Sequence, residues 1–423
     1  MPSQLLKTKT QQKSSTKSKA PRATDAATHA RQSPVSTVQR PSTQTRELWT
    51  ARQRQMHPIH YTVSYRGSFK PELPEFFIGR YLASPGVVLD PFGGRGTTAI
   101  QANLMGHTAI HNDLNPVSIF LASSRQTVPS LASLIDSVQS MDLESSLSPT
   151  AEEEERLLPF FHKETLRELL CLKKALLANF DDPHFRYIGV TALSRLHGHS
   201  DGFFSVYSFP QISILPGAQR KNNARLGQKP EYRNIRERII RKMKRDLSVE
   251  LPPGYNESAR KNLYLSCDSA NLKGVRASTV DLVVTSPPFL DKVDYITDNW
   301  MRAWFLGVED RVADIELSVT PSMEQWIGFM KSTFLEMGRV LKIGGRAVFE
   351  VGEVKSRSHL YNLEEVLANL LPLEVEGGRL VVDEILVNEQ KFTKLSNCWD
   401  VANNEKGTNT NRCLVMKKRP VRD

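Results

Sequence analysis

The feature that most constrains the fold of this chain is a glycine-rich turn between a short apolar segment and a helical one. Residues 86–90 form an apolar run that ends in an acid, and Gly93, Gly94 and Gly96 follow it. Residues 97–105 then have helical character. Glycines at such a turn let the backbone approach a ligand closely, and the start of the helix presents free N–H groups. The segment therefore predicts a strand, a ligand-binding loop and a helix.

The rest of the chain continues this alternation of strands and helices. An amphipathic helix is predicted over residues 323–340. Further strands are predicted at residues 108–111, 262–267, 280–284 and 346–351, followed by a terminal pair at 383–388 and 412–417. We therefore expect an α/β fold with a doubly wound, mostly parallel sheet and a terminal antiparallel hairpin, and with ligands at the carboxyl ends of the strands.

The order of these elements divides the chain into four predicted segments. Residues 1–47 have almost no large apolar residues and are predicted to be a disordered basic tail. A solvated tail is the favoured interpretation, with a nucleic-acid-binding arm and a transit peptide as alternatives. Residues 48–128 and 262–423 are predicted to be the two parts of the α/β core. Residues 129–261 depart from its rhythm and are predicted to be an insertion, with a helix over 164–179.

Charge and cysteine content narrow the class of protein. Lys and Arg number 56 against 46 for Asp and Glu, and the formal net charge of +10 suits a polyanionic partner. The four cysteines form no CxxC pair, which argues against a zinc ribbon and a disulfide framework, so no metal site is predicted. No apolar run approaches the roughly 18 residues of a membrane span, and there is no secretory signal. We therefore expect a soluble, cytoplasmic protein without membrane contact.

A second motif follows the predicted strand at 280–284 and reads Thr285-Ser286-Pro287-Pro288-Phe289. Together with Asp-Pro-Phe-x-Gly-x-Gly-Thr-Thr at 90–98, it resembles the motifs of S-adenosylmethionine-dependent methyltransferases that modify exocyclic amino groups of nucleic-acid bases. The turn at 341–346 is similar to the one before the fifth strand in many methyltransferases. A nicotinamide dinucleotide fingerprint would account for the glycines. It would not account for Asp90, Pro91 and Phe92, or for the second motif.

This resemblance implies a class I, Rossmann-like methyltransferase fold and S-adenosylmethionine as cofactor. It implies that Asp113 accepts hydrogen bonds from the ribose hydroxyls and that Asp268 meets the adenine amino group. Their alternative roles are a cap for residues 115–116 and a helix N-cap, respectively. Phe69 would cover the methionine end of the cofactor or serve as a core aromatic. The residues expected to border the methionine part are Asp90, Pro91, Phe92, Gly94, Gly96 and Thr97.

The second motif suits chemistry on an exocyclic amine, which is a poor nucleophile because its lone pair is delocalised into the ring. Ser286 Oγ and the Pro287 carbonyl would accept its N–H groups, while the successive prolines hold the backbone in place. Phe289 would stack against a flipped base. The alternative is that the tetrapeptide Ser286-Pro287-Pro288-Phe289 only terminates a strand, as prolines commonly do. Nearby aromatics at positions 295, 300 and 304 could wall a base pocket, although their spacing is more typical of core residues.

A basic segment in the predicted insertion is the candidate target-recognition region. Residues 220–245 contain eleven Lys or Arg against two acids. Its predicted helix has a narrow buried stripe at Ile235, Ile239 and Met243 and could track phosphates. The alternative is a charged, solvated helix. The candidate DNA-binding residues are Arg220, Lys221, Arg225 and Lys229 in a preceding loop, and Arg236, Arg241 and Lys244 on the helix.

The resemblance implies a DNA methyltransferase acting on duplex DNA with a flipped base, associated with the nucleoid, with a cognate restriction endonuclease as a possible partner. Ser-Pro-Pro followed by an aromatic is the form most associated with N4 methylation of cytosine, so that target is favoured over N6 of adenine. A methyltransferase of structured RNA and a catalytically silent nucleic-acid-binding module are the remaining alternatives. The recognition sequence and the oligomeric state have no signature in the sequence.

Overall fold

The computed structural model describes residues 43–49, 55–208, 214–288, 294–315, 322–356, 359–389 and 410–421. The strands are β1 (Thr43–Arg46), β2 (Val87–Asp90), β3 (Thr108–Asn112), β4 (Leu263–Leu265), β5 (Val280–Thr285), β6 (Leu341–Val351), β7 (Glu353–Ser356), β8 (His359–Asn362), β9 (Leu373–Val375), β10 (Gly378–Glu389) and β11 (Thr410–Arg419). The helices are α1 (Glu72–Tyr81), α2 (Thr97–Leu104), α3 (Pro116–Ser123), α4 (Leu131–Ser140), α5 (Ala151–Leu157), α6 (Lys163–Ala178), α7 (Pro183–Leu193), α8 (Pro216–Leu226), α9 (Ile235–Asp246), α10 (Tyr255–Ala259), α11 (Tyr295–Asp298), α12 (Trp300–Leu306), α13 (Glu309–Ala313), α14 (Met323–Val340) and α15 (Leu363–Ala368), with a 3₁₀ turn at Pro58–Tyr61.

One large sheet organises these elements in the order β1-β10-β11-β6-β5-β2-β3-β4. After the edge strand β1, the chain enters the middle of the sheet at β2, moves outward through β3 and β4, and then crosses to the other side of β2 through β5 and β6. These five strands are parallel, and β11 is antiparallel to both β6 and β10. The prediction of a doubly wound, mostly parallel sheet with a terminal antiparallel hairpin is confirmed.

Helices cover both faces of this sheet because its strands are apolar on both sides. On one face, Leu89 and Val283 pack against a cluster that contains Phe334 and Met337 of α14. On the other face, Val88 and neighbouring strand residues pack with α1 and α2. Because successive side chains of a strand point to opposite faces, the apolar runs that predict β2 and β5 supply both layers.

The helices from α3 to α10 all lie between β3 and β4, and all of them except α8 contribute to one apolar cluster. Helix α6 covers nearly the predicted range, and Leu166, Leu169 and Leu176 are buried in it. The same cluster includes Trp304 of α12, which is 2% exposed. Trp300 packs beside it, so two of the aromatics after the second motif are packing residues. The third aromatic, at position 295, has a side chain that lies outside the described part of the chain.

The first described residues differ from the predicted disordered tail at 1–47. Residues Thr43–Arg46 form the edge strand β1, in parallel register with residues 385–388 of β10. Alternating β-branched threonines favour this extended backbone. The ring of Trp49, just beyond, packs against Phe76 and Phe77 with centroids 5.3 and 6.0 Å away. The prediction is therefore wrong for residues 43–46, whereas residues 1–42 lie outside the described ranges.

Strand β6 begins earlier than the predicted start at residue 346. Leu341 already pairs with Val280, and the turn predicted at 342–345 lies inside the strand. Gly344 takes a left-handed φ of 86°, which glycine tolerates. Within the described part of the chain, none of the helices is both long and apolar enough to cross a membrane.

Candidate active site

A pocket opens at the carboxyl ends of β2, β3 and β5, where the order of the parallel strands reverses. Such a switch point is the usual ligand site of an open α/β sheet. The pocket contains about 870 Å³ of atom-free space, part of it open to solvent. Its lining comprises residues 65–69, Pro91, Phe92, Gly93, Gly94, Thr97, residues 112–115 and 267–269, Ser286, Pro288 and Phe329. Most of the residues predicted from the two motifs therefore surround one space.

Glycine is needed at positions 94 and 96 of the first motif for different structural reasons. Gly94 has a φ of 51°, and a β-carbon there would lie 3.6 Å from the Tyr65 ring, inside the pocket. Gly96 has a φ of 83°, and a β-carbon there would lie 2.7 Å from Ala122 Cβ. Gly94 therefore preserves space in the pocket, whereas Gly96 allows α2 to pack against α3.

Asp90 ends β2 beneath this loop and is 1% exposed, so it does not itself line the pocket. Its Oδ1 accepts hydrogen bonds from Phe92 N at 3.1 Å and from Thr285 Oγ1 at 2.6 Å. Its Oδ2 is buried and has no hydrogen-bond partner among the described residues. Burial raises the pKa of Asp90 to about 6, although the Thr285 hydrogen bond opposes this rise.

Asp113, after β3, holds the loop from the other side. Its Oδ2 accepts from Gly94 N at 2.8 Å, and its Oδ1 accepts from Asn115 N at 2.9 Å. Burial raises the pKa of Asp113. The capping role weighed for this acid is therefore present, and each oxygen retains a second lone pair for a ligand in the pocket.

Asp268 lines the pocket opposite the loop and is exposed to solvent. Its Oδ1 accepts from Ala270 N at 2.9 Å within a turn, and no helix begins there, so the helix N-cap weighed as its alternative role is absent. The neighbouring Cys267 is bound through its backbone to the Asn112 side chain, with its carbonyl oxygen 2.9 Å from Asn112 Nδ2. The contacts of both predicted acids with a cofactor remain predictions.

Phe69 belongs to a segment, residues 63–69, that covers one side of the pocket. The Arg95 guanidinium binds both ends of this segment and donates to the Val63 and Phe69 carbonyl oxygens, each at 3.4 Å. Its Nε also donates to Thr97 Oγ1 at 3.1 Å. The role of Arg95 could not be predicted from the sequence, because nothing in the motif indicates where its side chain points.

The second motif enters the pocket through Ser286 and Pro288, while Pro287 is buried. Thr285 is linked to Asp90 by the hydrogen bond described above, so the ends of β2 and β5 are directly joined. The Pro288 carbonyl accepts from Trp326 Nε1 at 3.0 Å, which anchors the motif to α14. Phe289, the predicted stacking residue, lies outside the described residues.

Glu350 is a site residue that the sequence analysis does not identify. It lies at the carboxyl end of β6, and its Oε1 accepts from Asn411 Nδ2 at 3.1 Å. Ser286 lies next to Glu350, because Thr285 and Phe349 are register partners in β5 and β6. Burial raises the pKa of Glu350, and the Asn411 and Ser286 side chains oppose this rise. The signal in the sequence is an acid at the end of an apolar strand, the same signal that marks Asp90.

The candidate DNA-binding residues lie on two helices rather than on a loop and a helix. Arg220, Lys221 and Arg225 belong to α8, and only Lys229 follows it. The prediction of a loop is wrong because Pro216 starts this helix and Gly227 ends it in a left-handed conformation. All four cations are exposed.

Helix α9 has the predicted buried stripe, with Ile235, Ile239 and Met243 at most 1% exposed. Arg236 on this helix is half-buried, and its guanidinium donates to the Val138 and Met141 carbonyls at 3.0 and 2.7 Å. These two bonds hold α4 and use two of the five N–H donors of the guanidinium, so a contact of Arg236 with DNA stays a prediction.

Arg241 and Lys244 point to solvent from the same helix, and Arg241 lies 3.4 Å from Asp201 Oδ2. Across the described ranges, no group of three His, Cys, Asp or Glu side chains is arranged to hold a metal ion.

Two proteins of known class are similar to this chain in sequence. Type II methyltransferase M.MjaII of Methanocaldococcus jannaschii is 37% identical over 76 residues, which cover 18% of this chain and 14% of the relative. Type II methyltransferase M.BsoBI of Geobacillus stearothermophilus is 23% identical over 338 residues, covering 71% of this chain and 64% of the relative. The chain thus spans less than two thirds of either relative.

Two solved structures align with most of this chain at low sequence identity. The rRNA methyltransferase aviRa from Streptomyces viridochromogenes aligns over 84% of this chain and 88% of its own, with 13% identity and a TM-score of 0.29. An rRNA methylase from Streptococcus thermophilus aligns over 83% of this chain and 98% of its own, with 7% identity and a TM-score of 0.29. No protein-family model matches. By sequence, the chain is a distant relative of type II methyltransferases.

Proposed function

We propose that this protein is an S-adenosylmethionine-dependent methyltransferase that modifies an exocyclic amino group of a base in DNA. The observation that carries the proposal is that the glycine loop and Ser286 line one pocket. The hydrogen bond between Thr285 and Asp90, at 2.6 Å, joins the two motifs at the base of that pocket. Distant similarity to two type II methyltransferases supports the same reaction class.

The pocket fits the proposed cofactor on two observations. The space beside Gly94 would be filled by a β-carbon, and two carboxyl groups, those of Asp113 and Asp268, line the same pocket. Asp113 would hold the ribose hydroxyls, and Asp268 the adenine amino group. Phe92 and Phe329, whose ring centroids are 5.9 Å apart, supply an apolar wall. When bound, the cofactor supplies an activated methyl group, so neither a metal nor a covalent nucleophile is required.

The residues of the second motif would prepare the target amine. Ser286 Oγ accepts one of its N–H groups, which favours a pyramidal nitrogen with a more available lone pair. The two prolines and the hydrogen bond from Trp326 to the Pro288 carbonyl keep the motif rigid, so little entropy is lost in orienting the amine. Phe289 would stack against the flipped base, a contact worth about 1–3 kcal/mol.

Within this class, we propose N4 of cytosine in duplex DNA as the target. The Ser286 hydroxyl is a neutral acceptor, in contrast to the carboxylate more often found at this position in adenine-modifying relatives. The exposed cations of α8 would contact phosphates. A cognate restriction endonuclease is the protein partner that we propose.

The decisive experiment is incubation with labelled S-adenosylmethionine and either duplex DNA or transfer RNA, followed by nucleoside analysis by mass spectrometry. We expect N4-methylcytosine in DNA. N6-methyladenine as the sole product would refute the cytosine target and leave the reaction class standing. Methylation of transfer RNA alone would refute the DNA substrate, and no product with either would refute the function.

A separate experiment tests the cofactor site without turnover. Cys267 lines the pocket, whereas Cys171 and Cys413 are buried elsewhere. Saturating S-adenosylhomocysteine should slow alkylation of Cys267, measured by peptide mass spectrometry, without changing alkylation of the two buried thiols. Equal alkylation rates of Cys267 with and without this compound would contradict the placement of the cofactor.

The role of Ser286 can be separated from cofactor binding. Ser286→Ala should lower kcat with little change in calorimetric affinity for S-adenosylmethionine, because the hydroxyl acts on the target amine. Phe289→Ala should weaken both base capture and rate. A Ser286→Ala variant with unchanged kcat would remove Ser286 from the mechanism.

A further inference from the structure

A line of polar side chains crosses the carboxyl edge of the sheet and ends at Ser286. Its side chains come from strands β6, β10 and β11 and from the residue after β5, and its far end meets the backbone of residues 48–49. The inner link is Glu350, which binds Asn411 Nδ2 at 3.1 Å and lies beside Ser286, because Thr285 and Phe349 are register partners in β5 and β6. The line therefore connects the second motif with strands on the far side of β6.

The outer link is Asn388 at the end of β10, whose side chain is fully buried. Its Oδ1 accepts from Leu48 N at 2.7 Å and from Trp49 N at 3.3 Å. Its Nδ2 donates to the Trp49 carbonyl at 3.3 Å and to Asn411 Oδ1 at 3.5 Å. Because Asn388 uses the oxygen of Asn411, the amide nitrogen of Asn411 is left to face Glu350.

We propose that Asn388 and Asn411 are positioning residues that, through Glu350, orient the Ser286 hydroxyl for its part in the reaction. The inference rests on the proposed function, because Ser286 must act as an acceptor for a target amine. A carboxylate only accepts hydrogen bonds, so Ser286 donates its hydrogen to Glu350. Both lone pairs of its oxygen then remain available on the pocket side.

This arrangement requires Glu350 to be ionised. Donation from Asn411 favours the ionised form, whereas burial opposes it and raises the pKa. Two titratable groups share this environment. Cys413 on β11 faces both Glu350 and Glu364. Glu364 pairs with Arg412 at 2.6 Å. Removing the Asn411 donor should therefore raise the pKa of Glu350 further. Glu350 would then become protonated, and stop orienting the Ser286 hydroxyl, at a higher pH.

The kinetic test uses Asn411→Leu, which removes the amide at similar size. We expect kcat on duplex DNA to fall about tenfold, as for loss of a hydrogen bond to a charged group, with the KM for DNA and the affinity for S-adenosylmethionine unchanged. The acid limb of the kcat profile should move to higher pH, and Asn388→Leu should move it in the same direction by less. Thr410→Ala, one residue away on β11, is the matched control and should leave kcat and its profile unchanged. An unshifted acid limb in Asn411→Leu would overturn the proposal.

A second measurement needs no substrate and so separates this inference from the proposed function. The pKa of Glu350 is followed by NMR of ¹³C-carboxyl glutamate, with the resonance assigned by its loss in Glu350→Gln. Asn411→Leu and Ser286→Ala should each raise this pKa, and Thr410→Ala should not. An unchanged pKa in both variants would overturn the network even if the enzyme methylates DNA. A raised pKa with no methyl transfer in the wild type would confine the failure to the proposed function.

Discussion

The carboxyl group of Asp90 combines near-complete burial with an oxygen that has no hydrogen-bond partner among the described residues. Burial raises its pKa to about 6, above the ordinary value of 3.8. In the unfolded chain the carboxyl loses its proton near pH 4, while in the folded chain it keeps the proton until about pH 6. The free protein therefore loses stability as the pH rises across this window.

Asp90→Asn should remove this dependence because the amide does not ionise. The shift corresponds to about 3 kcal/mol at most, so the free energy of unfolding of the wild type should fall relative to the variant between about pH 4 and pH 7. Urea unfolding at several pH values measures this difference. Parallel stability curves for the two proteins would show that Asp90 ionises normally in the folded state.

Gly94 makes a separate prediction about ligand binding. Gly94→Val should abolish calorimetric binding of S-adenosylmethionine because the side chain would occupy the pocket, and Asp90→Ala should do the same by removing an anchor. Gly106 is the matched control: it also has a left-handed φ, of 81°, and a β-carbon there would meet no atom within 4 Å. Gly106→Val should carry a similar backbone strain and retain binding. Loss of binding in both glycine variants would point to strain rather than to the pocket.

The sequence could predict Asp90, Gly94 and Ser286 because each stands in a local motif with a chemical reason. It could not predict Glu350 or Arg95 in the same way. The role of Glu350 depends on the register of β6 against β5 and β11, which brings residues 286, 350 and 411 together. The role of Arg95 depends on how residues 63–69 fold over the loop.

At the scale of elements, α8 and α9 divide the basic segment into two different surfaces. The cations Arg220, Lys221 and Arg225 of α8 are exposed. On α9, Arg238 is bound to Asp201 at 2.7 Å, and Lys242 is buried against Asp246. Much of the charge of α9 therefore serves packing, and α8 is the better candidate for contact with phosphates.

Replacing Arg220, Lys221 and Arg225 together by Gln should weaken DNA binding and reduce its salt slope by about 0.9 per lost phosphate contact. The affinity is measured by fluorescence anisotropy over a range of salt concentrations. Arg260, Lys261 and Arg276 are exposed cations outside this region, and their triple Gln variant is the matched control. An equal change of slope in both variants would mean that only net charge matters.

Elements with a clear start, period and end can be predicted closely. Helix α14 has the predicted bounds, because Ser322 caps its first turn and Trp326, Met330 and Phe334 repeat its buried face. The sequence does not indicate helix α8 or strand β1. Apolar periodicity is weak in the polar sequence of α8, and β1 depends on an edge of β10 that lies more than 300 residues away.

For the whole molecule, the segment before the fold is tied to the far end of the sheet. Removing residues 1–42 should leave kcat at saturating DNA nearly intact, because the contacts of Leu48 and Trp49 with Asn388 remain. Removing residues 1–49 should lower kcat several-fold, because Asn388 loses these partners. Both truncated proteins are assayed below their unfolding temperatures, checked by circular dichroism. A large loss with the shorter deletion would instead place residues 1–42 in the active site.

The helices between β3 and β4 have a consequence for how the protein is made. Val87 and Asp281, which are hydrogen-bonded at 2.8 Å, lie 194 residues apart. A ribosome that adds about 5–20 residues per second needs roughly 10–40 s to cover that distance. During this time β2 has one sheet edge without its final partner, and the helical cluster can form first from nearby residues. Synthesis of β5 and of Ser286 after it then closes the sheet and completes the pocket. A chain stalled within the helices would therefore contain the glycine loop but lack Ser286.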